Sequence, residues 1–304
     1  MEDKAARNVT LDYYKFFLSF WVVVIHMGPM FDSDIASWFT SESIARIAVP
    51  SFFVINGFYF ANKVSNKREI LGYLKHLLII YTVWAIIYLK YYISADAVIF
   101  YYIMGFFHLW YVPALIFGII MLVLLKKILK KDHVLLIIAI LLYIIGYIME
   151  FEATSLYEIR NGLFYGYPLI TIGYCCRSMK LDKSIKPSYL VVLLLVGLVG
   201  LFVESYITYI MTAQSRDLYL SLLICSPSAI LLMIKYPKYK TGEFYTTYLS
   251  HLGSAIYFCH FLVIREFTFF ADKETIFRFP FVFLLTVILS VIIITINKRI
   301  KIFL

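Results

Sequence analysis

Charge is what this chain has least of. Only 15% of its 304 residues are Asp, Glu, Lys or Arg, against about 25% in an ordinary soluble domain. Hydrophobic residues make up 62% of the chain, and the mean hydropathy is +0.84. This balance excludes a soluble α/β enzyme. Cysteine is scarce as well. Cys175, Cys176, Cys225 and Cys259 all lie in apolar runs, with neither CxxC nor zinc spacing. Neither a disulfide framework nor a metal site is expected. No internal repeat, Gly/Ser linker or low-complexity tail interrupts the chain, so one domain over 1–304 is expected. A secretory leader is not expected either. The polar start MEDKAARN leads into an apolar run that continues past any small-residue cleavage site.

What the chain has in quantity is long apolar runs. About 20 apolar residues cross a bilayer core as a helix, and lipid excludes exposed irregular backbone. Ten helices are predicted, at about 11–31, 44–62, 70–92, 108–126, 133–150, 160–179, 188–212, 217–235, 246–267 and 279–298. The connections between them alternate in charge. One set holds Lys4 and Arg7; Lys63, Lys67 and Arg68; Lys126 to Lys131; Arg177 to Lys186; Lys235 to Lys240; and Lys298 to Lys301. The other holds Asp32, Asp34 and Glu42; Asp96; Glu150, Glu152 and Glu158; Asp217; Asp272 and Glu274. Basic loops stay cytoplasmic. The expected fold is therefore an all-α polytopic membrane protein of about ten transmembrane helices with both termini cytoplasmic. The net charge of +9 comes from these topological clusters rather than from a basic patch among aromatics, so no nucleic-acid partner is expected. The apolar piece 97–107 is too short to span and is predicted to be interfacial or re-entrant, delivering His108 to the bundle.

Ionisable residues at membrane depth are costly and mark function by default. On the predicted topology, His26, Arg46, His108, Tyr111, Arg160, Glu204 and His260 share an outer depth, on six different helices. Lys15 and Asp12 sit at the inner end of the first helix. Each residue also has a plain structural reading. A lone histidine in a helix is more often a packing residue than a catalyst. Arg160 and Arg265 are of the kind that anchors at headgroups. Lys75, His76 and Lys90 can snorkel to an interface. Together, three histidines, an arginine and a buried glutamate at one level point to a shared polar cavity. Such a cavity suits acid–base chemistry, with a histidine taking a hydroxyl proton. It equally suits a zwitterionic solute, with Arg meeting a carboxylate and Glu an amine. Spacing alone does not separate the two.

The motifs narrow the choice. Leu11-Asp12-x-x-Lys15, ten residues and then His26 resembles the first-helix signature of the acyltransferase-3 family, membrane-bound acyltransferases that modify surface glycans; that signature is an Arg, ten residues and a His. Arg46-Ile-Ala-Val-Pro-Ser-Phe-Phe-Val-Ile-Asn56-Gly-Phe58 resembles the family's R-x-x-V-P-x-F-F-x-x-S-G-F motif. TYLSHLGSAIYFCHFLVI, with His260, is similar to its penultimate helix. Lys15 stands where the family has Arg, and Asn56 where it has Ser. Lys keeps the charge but lacks the bidentate fork. Within the family, HLWYVPAL at 108–115, RNGLFYGYPL at 160–169 and VES at 203–205 look like the membrane half of the vancomycin-resistance membrane serine racemases. The racemase domain that follows there is expected to be absent here.

The resemblance implies a bacterial cytoplasmic-membrane enzyme using acyl-CoA, most simply acetyl-CoA, as donor, without a metal. The acceptor would be the hydroxyl of a surface glycan or lipid-linked glycan. It implies His26 and Arg46 as catalytic residues, Lys15 and Arg46 as donor-binding, and His108, Tyr111, Arg160, Glu204 and His260 as substrate-binding. The expected partners are membrane lipid, the glycan acceptor and, at most, further copies of this chain. The racemase likeness keeps a second expectation open, a module that binds or takes up a small amino acid such as L-serine. A purely structural scaffold would require all these polar residues to be incidental.

Overall fold

The computed structural model describes residues 7–94, 96–153, 155–267 and 275–304. Lys4, Asp272 and Glu274, which belong to the charge alternation, lie outside the described residues. Among the described residues the chain forms fourteen α-helices and one two-stranded ribbon. The helices are α1 (Val9–Met27), α2 (Asp34–Ser41), α3 (Ala48–Phe60), α4 (Lys67–Tyr88), α5 (Val98–Met104), α6 (Tyr111–Leu129), α7 (Asp132–Met149) and α8 (Leu156–Ile159). There follow α9 (Tyr167–Ser178), α10 (Leu181–Ser184), α11 (Pro187–Met211), α12 (Leu222–Lys235), α13 (Ser250–Glu266) and α14 (Thr275–Ile300). Eight helical stretches are long and apolar enough to cross a membrane. The protein is an all-α, multi-pass membrane protein.

All ten predicted spans coincide with helix, but two are shorter than their apolar runs. In the sixth, Asn161 stays outside the helix and its side chain caps the amides of Leu163 and Phe164 at 2.8 and 3.0 Å. A wide turn over Gly162–Gly166 precedes α9. In the eighth, the amides of Asp217 and Leu218 bond to Glu150, and the helix begins only at Leu222. The 97–107 segment forms the seven-residue α5, closed by Gly105 at φ 90°. Local signals set other helix starts. Asn8 caps α1, and Asn66 caps α4 while its amide donates to Glu69 at 2.8 Å.

The chain groups into two compact units. One contains Met1–Val49, Leu195–Ser215 and Leu232–Leu304; the other contains Pro50–Leu194 and Arg216–Leu231. In the first unit α1, α13 and α14 pack together. Val23, Val24 and Met27 of α1 meet Ile256 and Val263 of α13 and Phe279 and Val282 of α14. Phe20 adds edge-on contacts to Phe279 and Phe283, at 5.0 and 5.2 Å between ring centres. The ribbon ties the chain start to the segment after α12, with Arg7 opposite Lys240 and Asn8 opposite Tyr239.

The second unit is built on close helix approach. With no hydrophobic force between helices in lipid, small residues that admit a neighbouring backbone hold such pairs. Gly57 of α3 faces the carbonyl of Ile170 on α9, and Gly173 of α9 faces the carbonyl of Val54 on α3. A Cβ at either glycine would collide with backbone. Gly173→Leu is therefore expected to abolish the monodisperse peak in detergent size-exclusion chromatography. Gly72→Ala, in open space on α4, should leave the peak unchanged and raise stability by up to about 1 kcal/mol.

Candidate functional site

In the first unit, α1 and α13 bring two predicted residues together. The His26 and His260 rings stack with centres 5.1 Å apart and planes 28° from parallel. The packing explains why. His26 sits beside Val23 and Met27 on the buried face of α1, and His260 lies one turn from Ile256 on the facing side of α13. His260 is 0% exposed. Its Nδ1 lies 3.1 Å from the Ile256 carbonyl and 2.7 Å from that of Tyr257. Carbonyls only accept, so Nδ1 carries a proton, and Nε2 is the nitrogen not spent on the helix backbone. His26, in the last turn of α1, is half-buried. Next to it, the Met27 carbonyl accepts a bond from Arg278 Nη2 at 3.3 Å. Sequence reasoning did not pick out Arg278; a lone arginine near a helix start reads as a headgroup anchor.

Arg46 is buried, with 6% of its side chain exposed, and it does not act as an isolated cation. Glu42, one turn earlier, takes its Nη2 at 2.5 Å and its Nε at 3.0 Å. The Ser215 hydroxyl accepts from Arg46 Nη2 at 2.5 Å and donates to Glu42 at 3.0 Å. Glu42 was read from sequence only as part of an acidic loop. Its spacing of four residues from Arg46 was the available signal. At the other end of α1, Asp12 is buried between two cations, Lys15 at 2.6 Å and Arg7 at 2.5 Å. Lys15 Nζ also reaches the Ser250 carbonyl at 3.4 Å. Glu204, expected to be buried, is half-buried. The buried stripe of α11 there runs through Leu201, Ser205 and Thr208, which leaves position 204 at its edge.

In the second unit three groups form. His108 lies in the tight turn Phe107–Trp110 that leads into α6. It is buried, with its ring edge-on to Tyr88 at 4.9 Å. Tyr111 opens α6, and its hydroxyl accepts from the Asn56 amide at 2.8 Å. Tyr73 donates to the Asn56 carbonyl oxygen at 2.6 Å. Asn56, the departure from the family serine, is thus the centre of a tyrosine pair. Arg160 pairs through Nε and Nη2 with Asp217 and lies over the Trp110 ring. Beside this pair, Arg216 bonds to Glu150 at 3.2 Å. Burial, and after it the neighbouring Asp217 carboxylate, hold the Glu150 carboxyl above the usual glutamate range.

These clusters lie on the framework of a known family, because the acyltransferase-domain family profile matches residues 8–295. The chain belongs to the acyltransferase-3 family. This acyltransferase-family chain is also similar to three curated enterococcal proteins. One is an amino-acid racemase of Enterococcus faecalis, 29% identical over 196 residues, which are 54% of this chain and 27% of that protein. Another is a serine/alanine racemase of Enterococcus gallinarum, 26% identical over 238 residues, 66% of this chain and 33% of that protein. A second amino-acid racemase of E. faecalis is 26% identical over 296 residues, 84% of this chain and 40% of that protein. The acyltransferase-family chain thus spans about a quarter to two fifths of these relatives. No solved structure matches it.

The Arg46–Glu42 pair makes a direct prediction. Removing one partner of a buried pair costs about 3–5 kcal/mol, because the other charge is stranded. Glu42→Ala should lower the thermal midpoint of the detergent-purified protein sharply. Replacing both partners, as Glu42→Gln with Arg46→Met, should recover much of that loss.

Proposed function

We propose that this acyltransferase-3 protein is an O-acyltransferase of the bacterial cytoplasmic membrane. It moves an acyl group, most simply acetyl, from cytoplasmic acyl-CoA to a hydroxyl of a surface glycan or lipid-linked glycan. The observation that carries this reading is the His26–His260 stack. His260, with its Nδ1–H bonded to its own helix backbone, holds the ring of the half-buried His26 in place. A fixed imidazole is suited to take a proton from a hydroxyl. The hydroxyl oxygen attacks the acyl carbonyl, the carbon–sulfur bond breaks, and the proton taken by His26 passes to the departing thiolate. Arg46, with its charge balanced by Glu42 and a further bond to Ser215, is held rigidly enough to serve as a positioning residue.

Lys15 supports a donor end on the same helix. It lies eleven residues before His26, about 16 Å along the axis. Arg7 and Lys15 share a single carboxylate, Asp12. The cluster therefore keeps one net positive charge, which suits the phosphates of a nucleotide donor. The guanidinium of Arg7 supplies the fork that Lys15 lacks. His26→Ala, in protein expressed and folded as wild type, should lower transfer of radiolabelled acetyl to glycan by roughly 10²–10⁴-fold. Undiminished transfer would remove His26 from the chemistry.

A second reading rests on the relatives, which are named as racemases of serine and alanine or of amino acids. It is a module that binds a small amino acid without acyl transfer. Ligand binding raises stability in proportion to the logarithm of concentration over affinity. Acetyl-CoA should therefore raise the thermal midpoint of the purified protein. A shift with L-serine and none with acetyl-CoA would favour the second reading.

A further inference from the structure

The second unit contains a cavity of about 380 Å³ that the proposed chemistry does not use. Its walls come from α5, α6 and the wide turn before α9. Ile103, Met104, Pro113, Phe117 and Leu163 make it apolar, and among the described residues Arg160 and Asn161 are its two polar side chains. The volume falls within the range of ligand sites, which are mostly apolar with a few placed polar groups.

The polar inventory limits what fits. Asn161 is fully committed. Its oxygen accepts from the amides of Leu163 and Phe164, and its nitrogen donates to the Glu158 carbonyl at 2.6 Å. Arg160 is only half committed. Its Nε and Nη2 serve Asp217, while Nη1 bonds to no other described group. Among the described residues the cavity therefore offers one donor edge and no acidic wall residue. A sugar ring would leave most of its hydroxyls unpaired here, and an amino-acid zwitterion would find no partner for its ammonium. An apolar chain ending in one oxygen acceptor satisfies the whole lining. Two wall residues, Ile103 and Phe117, are also 62% and 50% exposed on the protein surface. In an all-α membrane protein that apolar surface meets lipid, so a chain has a route from the bilayer.

We propose that this cavity is a lipid-chain site, in which Arg160 Nη1 holds the ester, carboxylate or phosphate oxygen at the head of one apolar chain. The proposal deepens the acyltransferase reading, since the lipid carrier of a glycan acceptor has this chemistry; a bilayer phospholipid has it too. Asp217 then has a role beyond charge balance. By occupying Nε and Nη2 it leaves Nη1 as the donor of this cavity-lining guanidinium.

The test uses the full-length protein in detergent with a diazirine-labelled long-chain fatty acid, photolysed and mapped by mass spectrometry. The label is expected on 103–117 and 160–163. Ile103→Trp, at an exposed position, should block entry and lower labelling of these peptides by at least about tenfold. Arg160→Met combined with Asp217→Asn removes the donor edge without stranding a charge, and should weaken labelling by about tenfold. Competition separates the two sources: polyprenyl phosphate displacing the probe better than phosphatidylglycerol identifies a glycan carrier, and the reverse identifies a bilayer lipid. Labelling spread evenly over lipid-facing helices, or unchanged in both folded variants, would overturn the site. Because no acyl transfer is read, the outcome is independent of whether His26 is catalytic.

Discussion

A polar group that this chain buries, in hydrocarbon or in its own core, costs free energy unless it finds a partner. Most of the structure can be read as the consequence. Arg46 closes on Glu42 and Ser215, Asp12 sits between Arg7 and Lys15, Arg160 closes on Asp217, and Arg216 on Glu150. Asn56 takes a tyrosine on each side. Each contact offsets a desolvation cost that an isolated group could not bear. The contacts also hold side chains in defined orientations, which a site for chemistry requires.

The same constraint distinguishes structural from chemical polar residues. Arg46 and Asp12 are balanced by charges close in sequence, within five residues. The two histidines of the first unit are held differently. His260 spends one nitrogen on its own helix backbone and lays its ring against His26. An interaction that fixes a ring without consuming its acid–base function suits a proton-transfer site better than a structural bridge. That contrast moves weight from Arg46 to the histidine pair.

Much of the fold was legible because apolar run length maps directly onto helix length in a membrane. The capping asparagines Asn8 and Asn66 start their helices at Val9 and Lys67, ahead of the predicted 11 and 70, because a polar cap lies outside the apolar run. The two short helices were not legible. Their apolar runs include residues such as Asn161 and Leu218, whose backbone or side chain is drawn into turns by caps and by Glu150. For the candidate site, the residue types were readable from their cost in lipid, but the pairings were only partly so. Glu42–Arg46 is visible as a four-residue spacing. Arg160–Asp217 joins residues 57 apart in sequence, and His26–His260 joins two distant helices, so only packing shows them. Glu204 misled because an acidic residue within an apolar run looks buried, although the burial period of α11 places it beside the buried stripe.

The central claim is that His26 and His260 act as one unit. A double-mutant cycle on acyl transfer from radiolabelled acetyl-CoA tests it, using His26→Ala, His260→Ala and the double variant, each confirmed as folded. Residues that act together lose activity non-additively. The double variant is predicted to be no slower than the slower single variant, within about threefold. Losses that multiply across the two sites would show that the histidines act independently and would contradict the account.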